Sequence, residues 1–314
     1  MSTSSGIEQR RHWKVRHGPD GLHLFNRTSG LNVLLDEINS IPALHSRAPR
    51  QVSIALTNRC DLACAHCYAP KSRDLLSFDA VTRWLAELDS NGTLGIGFGG
   101  GEPTLHPEFV RLCRHAAIQT QISVSFTTHG HHIDEECAEQ LRGSVHFIRV
   151  SMDGVGETYE SIRRRSFSKL LAHLEHVRSI SRFGINAVIN ERTLPDLNEV
   201  AAVAADAGAC ELLLLPQVPV RGVSAIAPND LQELRNWVQS YPGPLKLCIN
   251  EASSDGFPVC DPFVKERGLR AYAHIDANGV LKSSSYAAEG VPLGQGSVLQ
   301  ALDRLAHELA EDDT

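Results

Sequence analysis

Between Val52 and about Ser240 the chain alternates short apolar runs with longer stretches of helical periodicity, and no other feature restricts the fold as much. The apolar runs are residues 52–56, 94–98, 122–127, 147–152, 185–189 and 212–215; the helical stretches are 78–88, 107–118, 133–141, 159–180, 194–207 and 228–240. Strand followed by helix, six times over, predicts an α/β class with a parallel sheet, because parallel neighbours need a long crossover. Periodicity alone leaves a partial barrel and an open doubly wound sheet both standing. In either one, ligands bind at the carboxyl ends of the strands.

Residues 1–50 carry a short strand signal at 22–25 and a short helical signal at 31–38, and read as an N-terminal extension to a core of residues 51–240. After Tyr241 the pattern changes to Pro- and Gly-bearing connections, a hairpin signal at Asp276-Ala277-Asn278-Gly279 and an amphipathic helix over 298–309. Residues 241–314 therefore read as a small C-terminal subdomain.

A formal net charge of −7 argues against nucleic acid as a partner. The one tight basic run, Arg163-Arg164-Arg165, reads equally as a solvated helix face or a binding feature. No run approaches the roughly 18 apolar residues that span a bilayer, and the first thirty residues are polar and basic. Neither a membrane partner nor a signal peptide is expected, and the expected location is cytoplasmic. The eight cysteines then read as reduced thiols or metal ligands.

Directly after the first core strand, Cys60, Cys64 and Cys67 stand within eight residues. A loop that wraps three thiolates around one side of a metal core can hold three irons of a cubane and leave the fourth open to an outside ligand. A zinc site is the competing reading. It is disfavoured because no second Cys or His pair follows at normal spacing.

Cys-x₃-Cys-x₂-Cys at the end of the first strand of a βα series resembles the radical S-adenosylmethionine (SAM) superfamily. The resemblance implies a partial (β/α)6 TIM-like barrel, one [4Fe–4S] cluster on Cys60, Cys64 and Cys67, and SAM chelated on its open iron. His66 takes the usually aromatic place before the third cysteine. Gly99-Gly100-Gly101-Glu102-Pro103 resembles the family's GGEP motif, which implies that Gly100 and Gly101 let the backbone approach SAM and that Glu102 accepts from its ammonium group. Thr128-His129-Gly130 departs from the relatives' Thr-Asn-Gly at His129. Ser151-Met152-Asp153-Gly154 resembles the Ser-x-Asp-Gly of the peptide-modifying branch, with Ser151 as a SAM contact. Arg163 matches the family's partner for the SAM carboxylate, and the stretch 186–190 offers Asn190 to the ribose.

The segment from Cys260 through His274 to Lys282 looks like the start of a SPASM or twitch extension, an α+β cap that carries auxiliary clusters in relatives. Here Ser283-Ser284-Ser285 stands where a cysteine is expected, so the resemblance implies one cluster and a degenerate cap over the barrel mouth. Cys113, Cys137 and Cys210 read as core residues. Cys248 and Cys260 have a second reading, as hydrogen-atom donors to a substrate radical. The leading function is hydrogen abstraction from a ribosomally made peptide, ending in epimerisation or a cross-link; the alternative is a sugar or nucleoside substrate in natural-product biosynthesis. A flavodoxin or ferredoxin is the implied electron donor. A non-catalytic scaffold would need neither the three thiols nor Glu102.

Overall fold

The computed structural model describes residues 12–312. Of the N-terminal extension, residues 1–11 lie outside that range. The rest forms a three-stranded antiparallel sheet of β1 (Trp13–Gly18), β2 (Gly21–Asn26) and β3 (Leu31–Leu35). The helix expected over 31–38 is instead β3, paired with β2 from Leu22↔Leu35 to Asn26↔Leu31. Turn chemistry decided this: the Asn26 Oδ1 accepts from the amides of Thr28 and Ser29, and Gly30 closes the reversal at φ +72°.

The core strands are β4 (Gln51–Thr57), β5 (Gly95–Gly100), β6 (Ser123–Thr128), β7 (Phe147–Ser151), β8 (Phe183–Ile189), β9 (Glu211–Pro216) and β10 (Lys246–Ile249). Each pairs in parallel with the next, and their spatial order never reverses. A doubly wound sheet needs such a reversal. Crossovers that always step the same way, with the usual right-handedness, put every helix on one face and leave the other face as the interior of a partial barrel.

Between the strands lie α1 (Phe78–Ser90), α2 (Phe109–Gln119), α3 (Glu135–Leu141), α4 (Gly156–Arg163), α5 (Phe167–Ile180), α6 (Leu197–Asp206) and α7 (Pro228–Ser240). The helix expected over 159–180 is two. Arg164 enters the left-handed region at φ 56°, and the Ser166 hydroxyl caps α5 by accepting from the Lys169 amide. Arg163-Arg164-Arg165 is thus a corner between helices, and the solvated helix face is set aside.

Burial alternates with the strand period. On β7, Ile148 and Val150 are fully buried against the helices, while Phe147, Arg149 and Ser151 face inward and are half-buried. The barrel interior is an open trough, unlike the side-chain-filled core of a complete barrel.

The C-terminal residues extend this same sheet. After β10 at one edge, the chain crosses to the opposite edge, where β11 (Tyr272–Ile275) pairs in parallel with β4. β12 (Val280–Lys282) and β13 (Val291–Pro292) continue antiparallel, with the expected reversal at Gly279. The last helix, α8 (Val298–Asp312), is capped from α1: the Glu87 carboxylate accepts from the amides of Val298 and Leu299 at 2.9 and 3.2 Å.

The N-terminal sheet is pinned by a buried cation. Arg16, 2% exposed, donates from Nε to Glu266 at 2.6 Å and from Nη1 to the carbonyls of Ala48 and Gly92 at 2.8 and 2.9 Å. Glu266 lies on the crossover to β11 and is equally buried. Glu266→Ala strands the guanidinium and is expected to lower the unfolding free energy by about 3–5 kcal/mol in chemical denaturation. A loss below about 1 kcal/mol, the range of an exposed pair, would show that this ion pair does not hold the sheet.

Candidate active site at the cysteine loop

The cysteine loop leaves β4 at Thr57 and is closed at its base. Thr57 Oγ1 donates to the Asp74 carbonyl at 2.9 Å and accepts from the Arg59 amide at 3.1 Å, and the Asn58 amide donates to the same carbonyl at 3.0 Å. Leu62 and Ala69 plug the loop into the protein. N–H groups face each sulfur: the Leu62 amide at 3.4 Å from Cys60 Sγ, Lys71 Nζ at 3.6 Å from Cys67 Sγ and Arg163 Nη1 at 3.7 Å from Cys64 Sγ. Burial pushes the Cys60 and Cys64 thiols up, opposed by the Leu62 amide at Cys60 and by the Arg163 charge at Cys64. Iron must displace those protons on binding.

The donor set fits a cluster better than a single ion. Among the described residues, the side chains whose ligand atoms all fall within 4.8 Å are Cys60, Asp61 and His129, and the three thiols form no such group. Widely spaced thiolates on one loop, with N–H donors at the sulfurs, suit the corners of a cubane.

The glycines after β5 have unequal reasons. Gly100 sits at φ +111°, and a Cβ there would lie 2.2 Å from the Thr57 carbonyl oxygen; on Gly101 it would lie 2.2 Å from that of Arg59. Both are demanded by the cysteine loop packed over them, and the Gly101 and Glu102 amides donate to those same carbonyls at 2.7 and 2.8 Å. Gly99 alone of the three faces open space.

Glu102 is 1% exposed, and both of its carboxylate oxygens accept hydrogen bonds. Its Oε1 accepts from the Thr104 and Thr128 hydroxyls at 2.7 and 2.8 Å, and its Oε2 from the His129 amide at 2.9 Å. His129 Nε2 lies 3.4 Å from Glu102 and 2.9 Å from Asp61 in the cysteine loop. Asp61 also accepts from Arg165 at 2.8 Å and stands 3.3 Å from His132. Burial raises the Asp61 carboxyl, but Arg165 and His129 outweigh it and hold it well below the usual range. Sequence reading passed over Asp61, although a carboxylate directly after the first cysteine, with an unexplained histidine elsewhere, was an available signal.

A second carboxylate, Asp153, gathers His66 and Arg163. Its Oδ1 accepts from the Val188 amide at 2.8 Å, and its Oδ2 lies 3.1 Å from His66 Nε2 and 2.5 Å from Arg163 Nη2. Burial alone would raise this carboxyl; the Arg163 charge and the His66 hydrogen bond prevail and lower it to about 2. His66 and Arg163 thus brace the loop from below, and the Arg163 guanidinium is taken up by Asp153 and Cys64. Ser151, two residues earlier, faces inward and is half-buried.

The other expected residues scatter. Asn190 is committed to a turn, accepting from the Arg192 amide at 2.9 Å and donating to Gln217 at 2.8 Å. Cys248 pairs in register with Leu213 on β10, its thiol pushed up by burial and by Glu211. Cys260 is exposed and lies three residues before Phe263, which packs 3.8 Å under Arg50 at the start of β4. Seven strand residues at about 3.3 Å each separate Arg50 from the cysteine loop, so Phe263 packs at the end of β4 opposite that loop.

Two groups were not foreseen. On the inward faces of β4 and β11, Ser53 Oγ meets the Tyr272 hydroxyl at 2.5 Å and His274 Nδ1 at 2.6 Å, and burial lowers His274 to about 4. From the segment after β12, Tyr286 packs against Tyr68 of the cysteine loop, with ring centroids 5.3 Å apart and the planes tilted by 52°. The C-terminal part therefore reaches the mouth of the barrel at this edge.

A set of thiols, a buried glutamate and an open trough at the carboxyl ends of parallel strands defines a metallocofactor enzyme site of the barrel type. The sequence pattern of the radical SAM superfamily matches residues 54–202, which carry this site. The superfamily uses a [4Fe–4S] cluster and SAM. The chain is 28% identical over 204 residues to the AdoMet-dependent heme synthase of Methanosarcina barkeri, covering 61% of this chain and 58% of that one. It is 31% identical over 170 residues to mycofactocin maturase MftC of Mycobacterium tuberculosis, covering 52% and 43%. The chain thus spans about half the length of these curated relatives. In fold it matches Streptococcus suis SuiB, crystallised with precursor peptide SuiA, at a TM-score of 0.77 and 16% identity over 95% of this chain and 89% of SuiB.

Gly101→Ala is expected to displace the cysteine loop and cut the iron retained after anaerobic reconstitution to less than half of wild type, whereas Gly99→Ala, with open space before it, retains wild-type iron. Equal iron in both variants would refute the packing account. The Asp153 contribution to stability is present above the unfolded carboxylate value of about 3.9 and is lost as pH falls through about 2. In thermal unfolding, the gap between wild type and Asp153→Asn should stay constant from pH 7 to 5 and shrink from about pH 4 downward.

Proposed function

We propose that the protein is a radical SAM enzyme that abstracts hydrogen from a ribosomally made peptide, leading to epimerisation or a cross-link. The observation that carries the reading is the three-thiol loop, braced by Asp61 and Asp153, set over a trough whose inward faces are open along several strands. Bound there, the cluster and SAM supply reductive cleavage to a 5′-deoxyadenosyl radical.

This chain's residues supply the rest. Cys60, Cys64 and Cys67 hold the cluster as its only protein ligands, one cluster per chain. Lys71, Arg163 and the Leu62 amide donate to sulfur and stabilise the thiolate form. Glu102 presents a buried carboxylate to the SAM ammonium group, and Gly99 leaves room for the ligand beside it. Leu62 and Ala69 keep water from the inner side of the loop. Ser151 is the inward-facing hydroxyl nearest the end of β7. Cys248, on the inward row of β10, is the better placed of the two candidate hydrogen-atom donors.

Two observations favour a peptide: the fold likeness to SuiB, crystallised with a precursor peptide, and the relative named a mycofactocin maturase. The relatives named heme synthase and GTP 3′,8-cyclase support the second reading, a small-molecule substrate. Electrons would come from a flavodoxin or ferredoxin. No described helix is long and apolar enough to cross a membrane.

Anaerobically reconstituted protein is expected to hold about four irons per chain and to convert SAM to 5′-deoxyadenosine with dithionite. Cys64→Ala should abolish both, while Cys248→Ala keeps SAM cleavage and, if the thiol is the donor, loses product. About eight irons would sink the single-cluster reading. No iron–sulfur absorption in wild type would sink the enzyme reading altogether.

A further inference from the structure

His129 stands where the resemblance implies asparagine, and its surroundings are specific. The ring is buried, 4% exposed, with Nδ1 accepting from the His131 amide at 3.1 Å. That contact leaves Nε2 as the N–H side, and Nε2 faces two carboxylates, Asp61 Oδ1 at 2.9 Å and Glu102 Oε2 at 3.4 Å. An asparagine amide nitrogen ends one bond closer to the backbone. The chain of contacts is continuous: Arg165 and His132 to Asp61, Asp61 to His129, His129 to Glu102, and Glu102 to Thr104 and Thr128. It joins the residue after Cys60 to the glutamate of the Gly-Gly-Glu turn through one imidazole.

One N–H cannot serve two carboxylates equally. While Glu102 has no cationic ligand, its negative charge competes with Asp61 for that proton. An ammonium group at Glu102 satisfies the competitor and frees the imidazole for Asp61, the nearer partner. We propose that His129 is a positioning residue, coupling occupation of Glu102 by the ammonium group of an amino-acid cofactor to the placement of the Cys60 end of the cysteine loop. The proposal rests on the SAM reading of the site. Binding at one end of the relay tightens the other, so the loop is set most firmly when the cofactor is present.

The test compares wild type, His129→Ala, His129→Asn, Asp61→Asn and the double variant His129→Ala/Asp61→Asn after anaerobic reconstitution. Three quantities are read: iron per chain, SAM affinity by equilibrium dialysis, and the paramagnetic resonance spectrum of the dithionite-reduced cluster with and without SAM. Iron content should stay near wild type in each. SAM affinity should fall about tenfold in His129→Ala, the scale of one charge-assisted hydrogen bond. The SAM-induced spectral change should diminish alike in His129→Ala and Asp61→Asn, with the double variant no worse than either single one. A wild-type spectral response in either single variant, or additive losses in the double, overturns the relay. Should His129→Ala take up no iron, Asp61→Asn, which preserves the side-chain shape, carries the comparison. Loss of iron from every variant with native circular dichroism also overturns it, since the histidine would then serve assembly alone. If wild type itself takes up no iron, it is the SAM reading that fails.

Discussion

A loop with almost no regular hydrogen bonding cannot hold three sulfurs in place by itself, and here three carboxylates hold it, Asp61 and Asp74 from its own segment and Asp153 from beyond the end of β7. Asp74 closes its base on Asn58, Asp61 ties its first turn to His129 and Arg165, and Asp153 ties its last turn through His66. Asp61 reaches both the end of β6 and the corner between α4 and α5, Asp153 comes from the end of β7, and Asp74 closes the loop on itself. The metal site is therefore a property of the assembled sheet. Charge is what makes the anchoring strong, since each carboxylate meets a cation or an N–H donor in a partly dehydrated setting where such bonds exceed neutral ones.

The parallel core was legible because its signals are local: apolar runs with strand period, helical stretches between them, and thiols at a readable spacing. Where the sequence misled, a single residue overrode a pattern. Gly30 and Asn26 turned an apparent helix into β3, and Arg164, a residue with no turn preference to announce it, split one helix into two. β10, and the partner that β11 finds, were invisible for another reason. Four-residue strands carry little periodicity, and the pairing of β11 with β4 joins residues more than two hundred positions apart.

In the site, residue identity was legible and residue purpose was less so. The three cysteines could be named from their spacing and Glu102 from the family resemblance, and the structure does bring them to one end of the sheet. Gly100 and Gly101 were read as room for a ligand, whereas the backbone of the cysteine loop fills that room. Arg163 was read as a ligand contact, and the structure adds that it neutralises Asp153 and faces Cys64. Such roles depend on which distant carboxylate or carbonyl arrives opposite the residue, and a one-dimensional pattern does not carry that information.

The inward row of β5 is Gly95, Gly97 and Gly99, in register with Gln51, Ser53 and Ala55 on one side and, for the first two, with Ser123 and Ser125 on the other. The Gln51 side chain lies across Gly95 and reaches toward Gly97, so within this row Gly99 is the position with nothing over it. Side-chain variety in the trough therefore stands to one side, where Arg149 bonds both Asn186 and Glu211, and the floor at Gly99 is left to the backbone alone.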